Sequence, residues 1–268
     1  MDNKEYILDV KKLNTTFISD RKEIKIVKDV SFKVRRAKTL AVVGESGCGK
    51  SVTMNSIMRF TGKNAIVKAE NIQYNALRDG QVTEYHLESI KESNGPEMRA
   101  LRGPDMSMVF QDPMTSLNPL MTIGKQIMEG MIWHYKTPKA EAWKRSVELL
   151  KEVGIEDAEK RMKNYPHQLS GGMRQRVVIA IALSCNPELL ICDEPTTALD
   201  VTIQAKILEL IRNIQKKTGI SVIYITHDLG VVAKVADYVN VMYAGKIVEK
   251  GLINDIFYDP RHPYTWGL

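Results

Sequence analysis

No apolar run in this chain of 268 residues approaches the roughly 18–20 residues that a membrane-spanning helix needs; the longest is Val177 to Leu183. The opening residues, Met1-Asp2-Asn3-Lys4-Glu5, lack the apolar stretch of a signal peptide, so a soluble cytoplasmic protein is expected. Cysteine is scarce. Cys48, Cys185 and Cys192 are odd in number and lack metal-ligand spacing, which argues against a disulfide framework and suggests small buried thiols in a reducing compartment. Low-complexity tracts and internal repeats are also missing. The net charge is +6, but the basic residues are spread along the chain. A solvated surface plus a polyphosphate site explains that balance better than a nucleic-acid footprint does. With 44% hydrophobic and 26% charged residues, the chain can bury one large domain or a domain with a subdomain.

The pattern along the chain is largely strand–helix alternation. Tyr6-Ile7-Leu8-Asp9-Val10 and Ile24 to Val34 carry period-two apolar patterning, with Asp20-Arg21-Lys22-Glu23 as the turn between them. Thr39-Leu40-Ala41-Val42-Val43 reads as a parallel-sheet strand covered on both faces, followed by a helix from Ser51 to Phe60. Ile66 to Tyr74 is predicted as one strand, and Arg78 to Gly103, polar and rich in breakers, as a surface insertion. Met106 to Phe110 returns to strand character. Ile123 to Met131 and Lys139 to Val153 have helical spacing, so about 115–168 is expected to be a helical subdomain. Downstream are a buried helix from Val177 to Ser184 and core strands Leu189–Cys192 and Ile220–Thr226. An amphipathic helix, Val201–Lys217, presents Ile207, Leu208, Ile211 and Ile214 on one face. A short helix near Leu229–Ala236 precedes a hairpin turning at Ala244-Gly245-Lys246. The expected class is α/β with a largely parallel sheet.

Three segments carry chemistry. Gly44-Glu45-Ser46-Gly47-Cys48-Gly49-Lys50-Ser51 matches G-x-x-x-x-G-K-[ST] with a strand before it and a helix after it. Glycines let backbone N–H groups turn inward around phosphate oxygens, and the helix N-terminus adds donors. Lys50 would reach the β- and γ-phosphates, and the Ser51 hydroxyl would ligate Mg²⁺. Leu189-Leu190-Ile191-Cys192-Asp193-Glu194 ends a buried strand on two acids. Asp193 suits a place beside the magnesium, usually through water, and Glu194 suits a general base; a helix start capped by Asp-Glu-Pro is the plainer reading. Leu169-Ser170-Gly171-Gly172-Met173 offers a hydroxyl and two glycine amides at a helix N-terminus, a second anion site for the γ-phosphate of a partner's nucleotide. Ser170 as a simple helix cap is compatible with that role.

On these residues the chain resembles the ABC-type ATPases, the nucleotide-binding subunits of ABC transporters, over essentially its whole length. The resemblance implies a P-loop, RecA-like core at about 1–114 and 169–268 with an N-terminal antiparallel β region. It implies ATP and Mg²⁺ as cofactors, with Val52 continuing the nucleotide cradle. Gln111 in Val109-Phe110-Gln111-Asp112-Pro113 resembles the glutamine that senses Mg²⁺ and contacts the membrane subunits. Asp200 in Thr197-Ala198-Leu199-Asp200 resembles the aspartate that communicates across the dimer, and His227 in Ile225-Thr226-His227-Asp228 the switch histidine on the γ-phosphate. Phe17 is the candidate aromatic for stacking on adenine.

Asp112 to Pro119 and His262-Pro263-Tyr264-Thr265-Trp266-Gly267-Leu268 look like the oligopeptide/dipeptide/nickel importer branch. There the latter segment, from near 257, opens a C-terminal extension that sometimes holds an iron–sulfur cluster; here a truncated extension is expected, with no cluster ligands in the 268 residues. The resemblance implies a subunit that hydrolyses ATP to power uptake of oligopeptides or dipeptides, with nickel or another small solute as the alternative cargo. Implied partners are a homologous ATPase subunit in a homo- or heterodimer, two transmembrane permeases, and indirectly an extracytoplasmic solute-binding protein. The place is the cytoplasmic membrane face, and nucleic acid is no partner. Two rivals differ in class. A nucleic-acid ABC ATPase would carry long coiled coils or two ATPase units, whereas only about 58 residues separate Gln111 from Leu169. A regulatory subunit without turnover would lack the base or the switch residue, and Glu194 and His227 are both present. Three departures stand out: Met173 replaces a glutamine, Arg35-Arg36-Ala37-Lys38 lacks a usual glycine, and 78–100 is longer than the norm.

Overall fold

The computed structural model describes residues 5–19, 22–78, 80–90, 92–196 and 200–268. In chain order the strands are β1 (Tyr6–Ser19), β2 (Lys22–Arg35), β3 (Thr39–Val43), β4 (Ala65–Lys68), β5 (Asn71–Arg78) and β6 (Gln81–His86), then β7 (Met106–Val109), β8 (Leu189–Asp193), β9 (Ser221–Thr226), β10 (Tyr238–Tyr243) and β11 (Lys246–Leu252). The helices are α1 (Lys50–Ile57), α2 (Pro96–Leu101), α3 (Pro113–Ser116), α4 (Ile123–Tyr135), α5 (Lys139–Glu152) and α6 (Ala158–Arg161), then α7 (Gly171–Leu183), α8 (Val201–Thr218), α9 (Leu229–Val235), α10 (Ile253–Tyr258) and α11 (Pro263–Gly267). They fall into two compact units, Met1–Arg99 with Gln215–Leu268, and Ala100–Ile214. No helix among the described residues is long and apolar enough to cross a membrane.

The first unit holds an antiparallel sheet in the order β2-β1-β5-β6, with β4 also paired to β1. Both long strands run further than their alternation suggests. A register shift falls between Val10 and Leu13, and Lys12 takes a left-handed φ of 48°. Such a bulge shifts the inward-facing set, which ends the visible period-two pattern although Leu13 and Thr15 are buried beyond it. Lys22 and Glu23, expected in the turn, are paired in β2, while Asp20 and Arg21 lie outside the described residues.

The same unit contains the parallel run β10-β3-β9 with β11 antiparallel at the edge. Every residue of β3 and β9 is buried, as a sheet covered on both faces requires. Ala41 and Val43 pack with Val232, Val239, Val241 and Ile256. In register, Val43 pairs with Thr226 on one side and Val241 on the other, so the residues after Val43 and after Thr226 emerge side by side.

Three local expectations are corrected. Ile66 to Tyr74 is two strands, β4 and β5, because the chain bends at Ala69-Glu70, where the Glu70 amide donates to the Lys11 carbonyl at 3.0 Å. Arg78 to Gly103 is not a purely polar surface insertion: β6 pairs with β5, and Leu87, Ile90 and Met98 are buried. Leu87 and Ile90 lie in one polar interval and Met98 beyond Asn94-Gly95, too few in each to form a periodic window. The helix after the phosphate loop ends at Ile57, short of Phe60, because Arg59 adopts φ 56°.

In the second unit β7 runs parallel to β8, with Val109 opposite Cys192. Helix α8 buries Ile207, Leu208, Ile211 and Ile214, the face its spacing predicts. Helices α4, α5 and α6 occupy much of the stretch expected to be helical.

The missing glycine before β3 has a physical counterpart. Ala37 sits at φ 56°, the left-handed region where a Cβ is unfavourable, with its N–H donating to Ser221 Oγ at 3.0 Å and its carbonyl accepting from Gln215 Nε2 at 2.7 Å. Replacement Ala37→Gly should therefore stabilise the fold by about 0.5–1 kcal/mol in urea unfolding. A loss of stability would contradict the strain assigned to this turn.

Candidate functional site

The first unit builds the phosphate loop. Gly44 leaves β3 at φ 149°, and a Cβ built there would lie 2.1 Å from the Met242 carbonyl oxygen and 2.9 Å from Cys48 Sγ. No other residue fits without moving β10. Gly47 and Gly49 follow at φ 80° and 105°, conformations that aim backbone amides into the loop's concavity. The floor is held from two sides: Gly245 N–H donates to the Cys48 carbonyl at 3.0 Å, and Gly245 itself abuts the Ile26 carbonyl, 2.1 Å from where its Cβ would stand. Glu45, Ser46 and Gly47 form the exposed rim, while Ser51 and Val52 in the first turn of α1 are half-buried.

Lys50 opens α1 and is 4% exposed. Its ammonium donates to the Gly44 carbonyl at 2.7 Å and the Glu45 carbonyl at 2.9 Å, curled against the loop that it would release to reach phosphate. His227 follows β9 and is exposed beside the start of the loop, as the pairing of Val43 with Thr226 dictates. Asp228 caps α9 by accepting from the Gly230 amide at 2.7 Å. Phe17 is half-buried on β1, opposite Ile24 of β2 and two residues along that strand from the Ile26 carbonyl that abuts Gly49.

The second unit carries the acids and the Ser-Gly-Gly segment. β8 ends on Asp193, 5% exposed; Glu194, 9% exposed, turns out of the strand at φ 44°. The Asp-Glu pair thus ends a strand and does not start a helix. A glutamate held in the left-handed region is strained by about 1 kcal/mol or more, a cost met at sites that must aim a side chain. Gln111, just beyond β7, donates from Nε2 to Glu194 Oε2 at 3.3 Å, so two candidates far apart in sequence meet. Ser170 caps α7, its Oγ accepting from the Met173 amide at 3.3 Å. A Cβ on Gly172 would come within 2.9 Å of Ile203 Cγ2, so a side chain there would displace Ile203. Asp200 is exposed and accepts from the Ile203 amide at 2.9 Å; Thr197, Ala198 and Leu199 lie outside the described residues.

A model of the family described as ABC transporter matches residues 27–197. The chain belongs to that family. The oligopeptide transport ATP-binding protein OppD of Bacillus subtilis is 53% identical over 98% of this chain and 70% of its own length. The dipeptide transport ATP-binding protein DppD of Lactococcus lactis is 50% identical over 99% of this chain and 73% of its own length. Among solved structures, the dimeric post-hydrolysis state of the ATP-binding cassette MJ0796, bound to ADP and phosphate, superposes with a TM-score of 0.76 at 26% identity. That match covers 92% of this chain and 98% of the cassette. The fold is thus that of an ABC-type ATPase, with a P-loop core, an antiparallel β region and added helices, and the chain binds and hydrolyses ATP as a member of that family.

Sequence reasoning missed Tyr264, whose hydroxyl oxygen accepts from the Glu45 amide of the phosphate loop at 2.8 Å. The two residues are too far apart in sequence for any local pattern to pair them. Met242, Ile26 and Gly245, which fix the loop through backbone alone, left no side-chain signal either.

Burial pushes the thiols of Cys48, Cys185 and Cys192 up from their ordinary value, most strongly for Cys192, where Asp193 adds to the effect. A thiol raised on folding favours the neutral state, so its stabilisation is complete below the unfolded value and is lost as pH rises toward the folded one. At pH 8 the native chain should take up no iodoacetamide while the urea-unfolded chain takes up three equivalents. Rapid labelling of Cys48 in the native chain would contradict its burial.

Proposed function

We propose that this cassette powers peptide import as one of two ATPase subunits of an ABC importer, peripheral to the cytoplasmic membrane face and bound to two permeases. The observation that carries the reading is the 50–53% identity, across nearly the whole chain, to subunits named for oligopeptide and dipeptide transport. A relative named for glutathione import, from Escherichia coli, is 49% identical over 98% of this chain, which keeps the cargo class among small peptides. The solute-binding protein and the permeases would choose the cargo.

Roles follow the chemistry of each group. Gly44 to Val52 cradle the phosphates, with Lys50 leaving its resting carbonyls to neutralise charge on the γ-phosphate. Glu194 takes the proton of the water as its oxygen bonds in line to the γ-phosphorus and the bond from that phosphorus to the bridging oxygen breaks, releasing ADP, and Gln111 holds the carboxylate's orientation. His227 stabilises the transferred phosphoryl group, and Phe17 stacks on adenine. Ser170, Gly171 and Gly172 serve the nucleotide of the second ATPase subunit, and Asp200 communicates with that subunit.

The residues expected to hold magnesium suit it singly by chemistry: the Ser51 hydroxyl of the first unit, and the Asp193 carboxylate and Gln111 amide oxygen of the second, are each hard oxygen donors. When bound, Mg²⁺ would supply positive charge that offsets the negative charge developing in phosphoryl transfer. We read about 115–168 as the helical subdomain, inserted in a core of about 1–114 and 169–268.

The test is transport. Proteoliposomes reconstituted with this chain, its partner ATPase, the permeases and the binding protein should accumulate a radiolabelled di- or oligopeptide only with ATP inside the cytoplasmic compartment. ATP-dependent nickel uptake without peptide uptake would overturn the cargo assignment.

A further inference from the structure

The phosphate loop is tied to the far end of the chain through a single peptide unit. The Gly44–Glu45 peptide is gripped at both of its polar ends: its carbonyl accepts from the Lys50 ammonium at 2.7 Å, and its N–H donates to the Tyr264 hydroxyl oxygen at 2.8 Å. Rotating that peptide would break both bonds and turn the Gly44 carbonyl away from Lys50. The Tyr264 hydroxyl therefore resists rotation of this peptide from outside the loop.

Tyr264 is itself held in place. Its ring meets that of Tyr243 with centroids 4.5 Å apart at 42°, a tilted aromatic pair, and it packs on the cluster around Val43, Val241 and Ile256. Tyr243 ends β10 one residue after Met242, whose carbonyl closes over Gly44, so ring and loop are referred to the same strand. The segment carrying Tyr264 is stapled to β11 by the Glu249 carboxylate. That carboxylate accepts from the Arg261 amide at 2.6 Å, the His262 amide at 3.0 Å and the Thr265 hydroxyl. Burial pushes the Glu249 carboxyl up, but those hydrogen bonds outweigh it and hold the group below its ordinary value. A tyrosine fixed by an aromatic pair, an apolar cluster and a carboxylate staple is more than a surface contact of the loop.

We infer that Tyr264 is a positioning residue for ATP binding: its hydroxyl preorganises the Gly44–Glu45 peptide at the start of the loop that receives the phosphates. The segment following β11 thereby sets nucleotide affinity. This rests on the reading that Gly44 to Ser51 hold the phosphates, and the experiment separates the two.

The full chain, assembled with its partner ATPase, is compared as wild type, Tyr264→Phe, Glu249→Gln and Lys50→Ala by equilibrium binding of radiolabelled ATP, by kcat and KM, and by thermal midpoint. Phenylalanine keeps the ring and its packing and removes only the acceptor. Losing one hydrogen bond that preorganises the loop should weaken ATP binding and raise KM about three- to tenfold in Tyr264→Phe, with kcat held within about twofold. The midpoint should stay within about 2 °C, and Glu249→Gln should weaken binding in the same direction by less. Unchanged or tighter ATP binding in Tyr264→Phe, beside abolished binding in Lys50→Ala, overturns the role of Tyr264 and leaves the phosphate-loop reading standing. A fall in midpoint together with kcat marks a merely structural tyrosine and also overturns it. Intact ATP binding in Lys50→Ala overturns the phosphate-loop reading itself.

Discussion

The approach of Gly44 to the Met242 carbonyl is the constraint on which the nucleotide half of this molecule depends. β3 runs parallel to β10, so the loop leaving β3 must cross the end of its neighbour, and with a would-be Cβ only 2.1 Å from a carbonyl oxygen the crossing tolerates no side chain. The reversal forced there begins the loop that ends on Lys50 at the head of α1. The second close approach, Gly245 against Ile26, closes the far side of the cradle with backbone from β2 and the β10–β11 turn. Position is thus set by main chain, with the buried Lys50 ammonium held on two loop carbonyls.

In the other unit the governing constraint is electrostatic and conformational. Two carboxylates stand together at the end of a fully buried strand, one of them in a left-handed backbone state. Gln111 meets Glu194 because β7 and β8 are parallel neighbours in register, so the residues beyond Val109 and Cys192 leave the sheet on the same side. A parallel sheet delivers functional groups to the carboxyl ends of its strands, and both units obey that rule.

How much of this could be read from the sequence follows from the range of each interaction. The glycine loop, the Asp-Glu strand end and the Ser-Gly-Gly cap are each written within a few residues, and the four-residue face of α8 is a periodic signal. The bulge at Lys12 hid the length of β1 because alternation is a local code that one extra residue breaks. Leu87 and Met98 were invisible as core because each is a lone apolar residue among polar ones, buried by partners distant in sequence. Tyr264 and the glycine-tight contacts of Met242 and Ile26 escaped for the same reason, since a backbone carbonyl leaves no residue-type signature. The exposed Ala37 shows the converse: its departure from a family pattern was legible, but the strain behind it lies in a φ angle.

ATP turnover by the chain assembled with its partner ATPase, compared with the same assembly carrying Glu194→Gln, tests whether the acids ending β8 drive hydrolysis. Removing the base should leave ATP bound and lower turnover by about 100-fold or more, the scale of general-base catalysis. An unchanged rate would show that Glu194 is not the base and that the acids ending β8 do not drive hydrolysis.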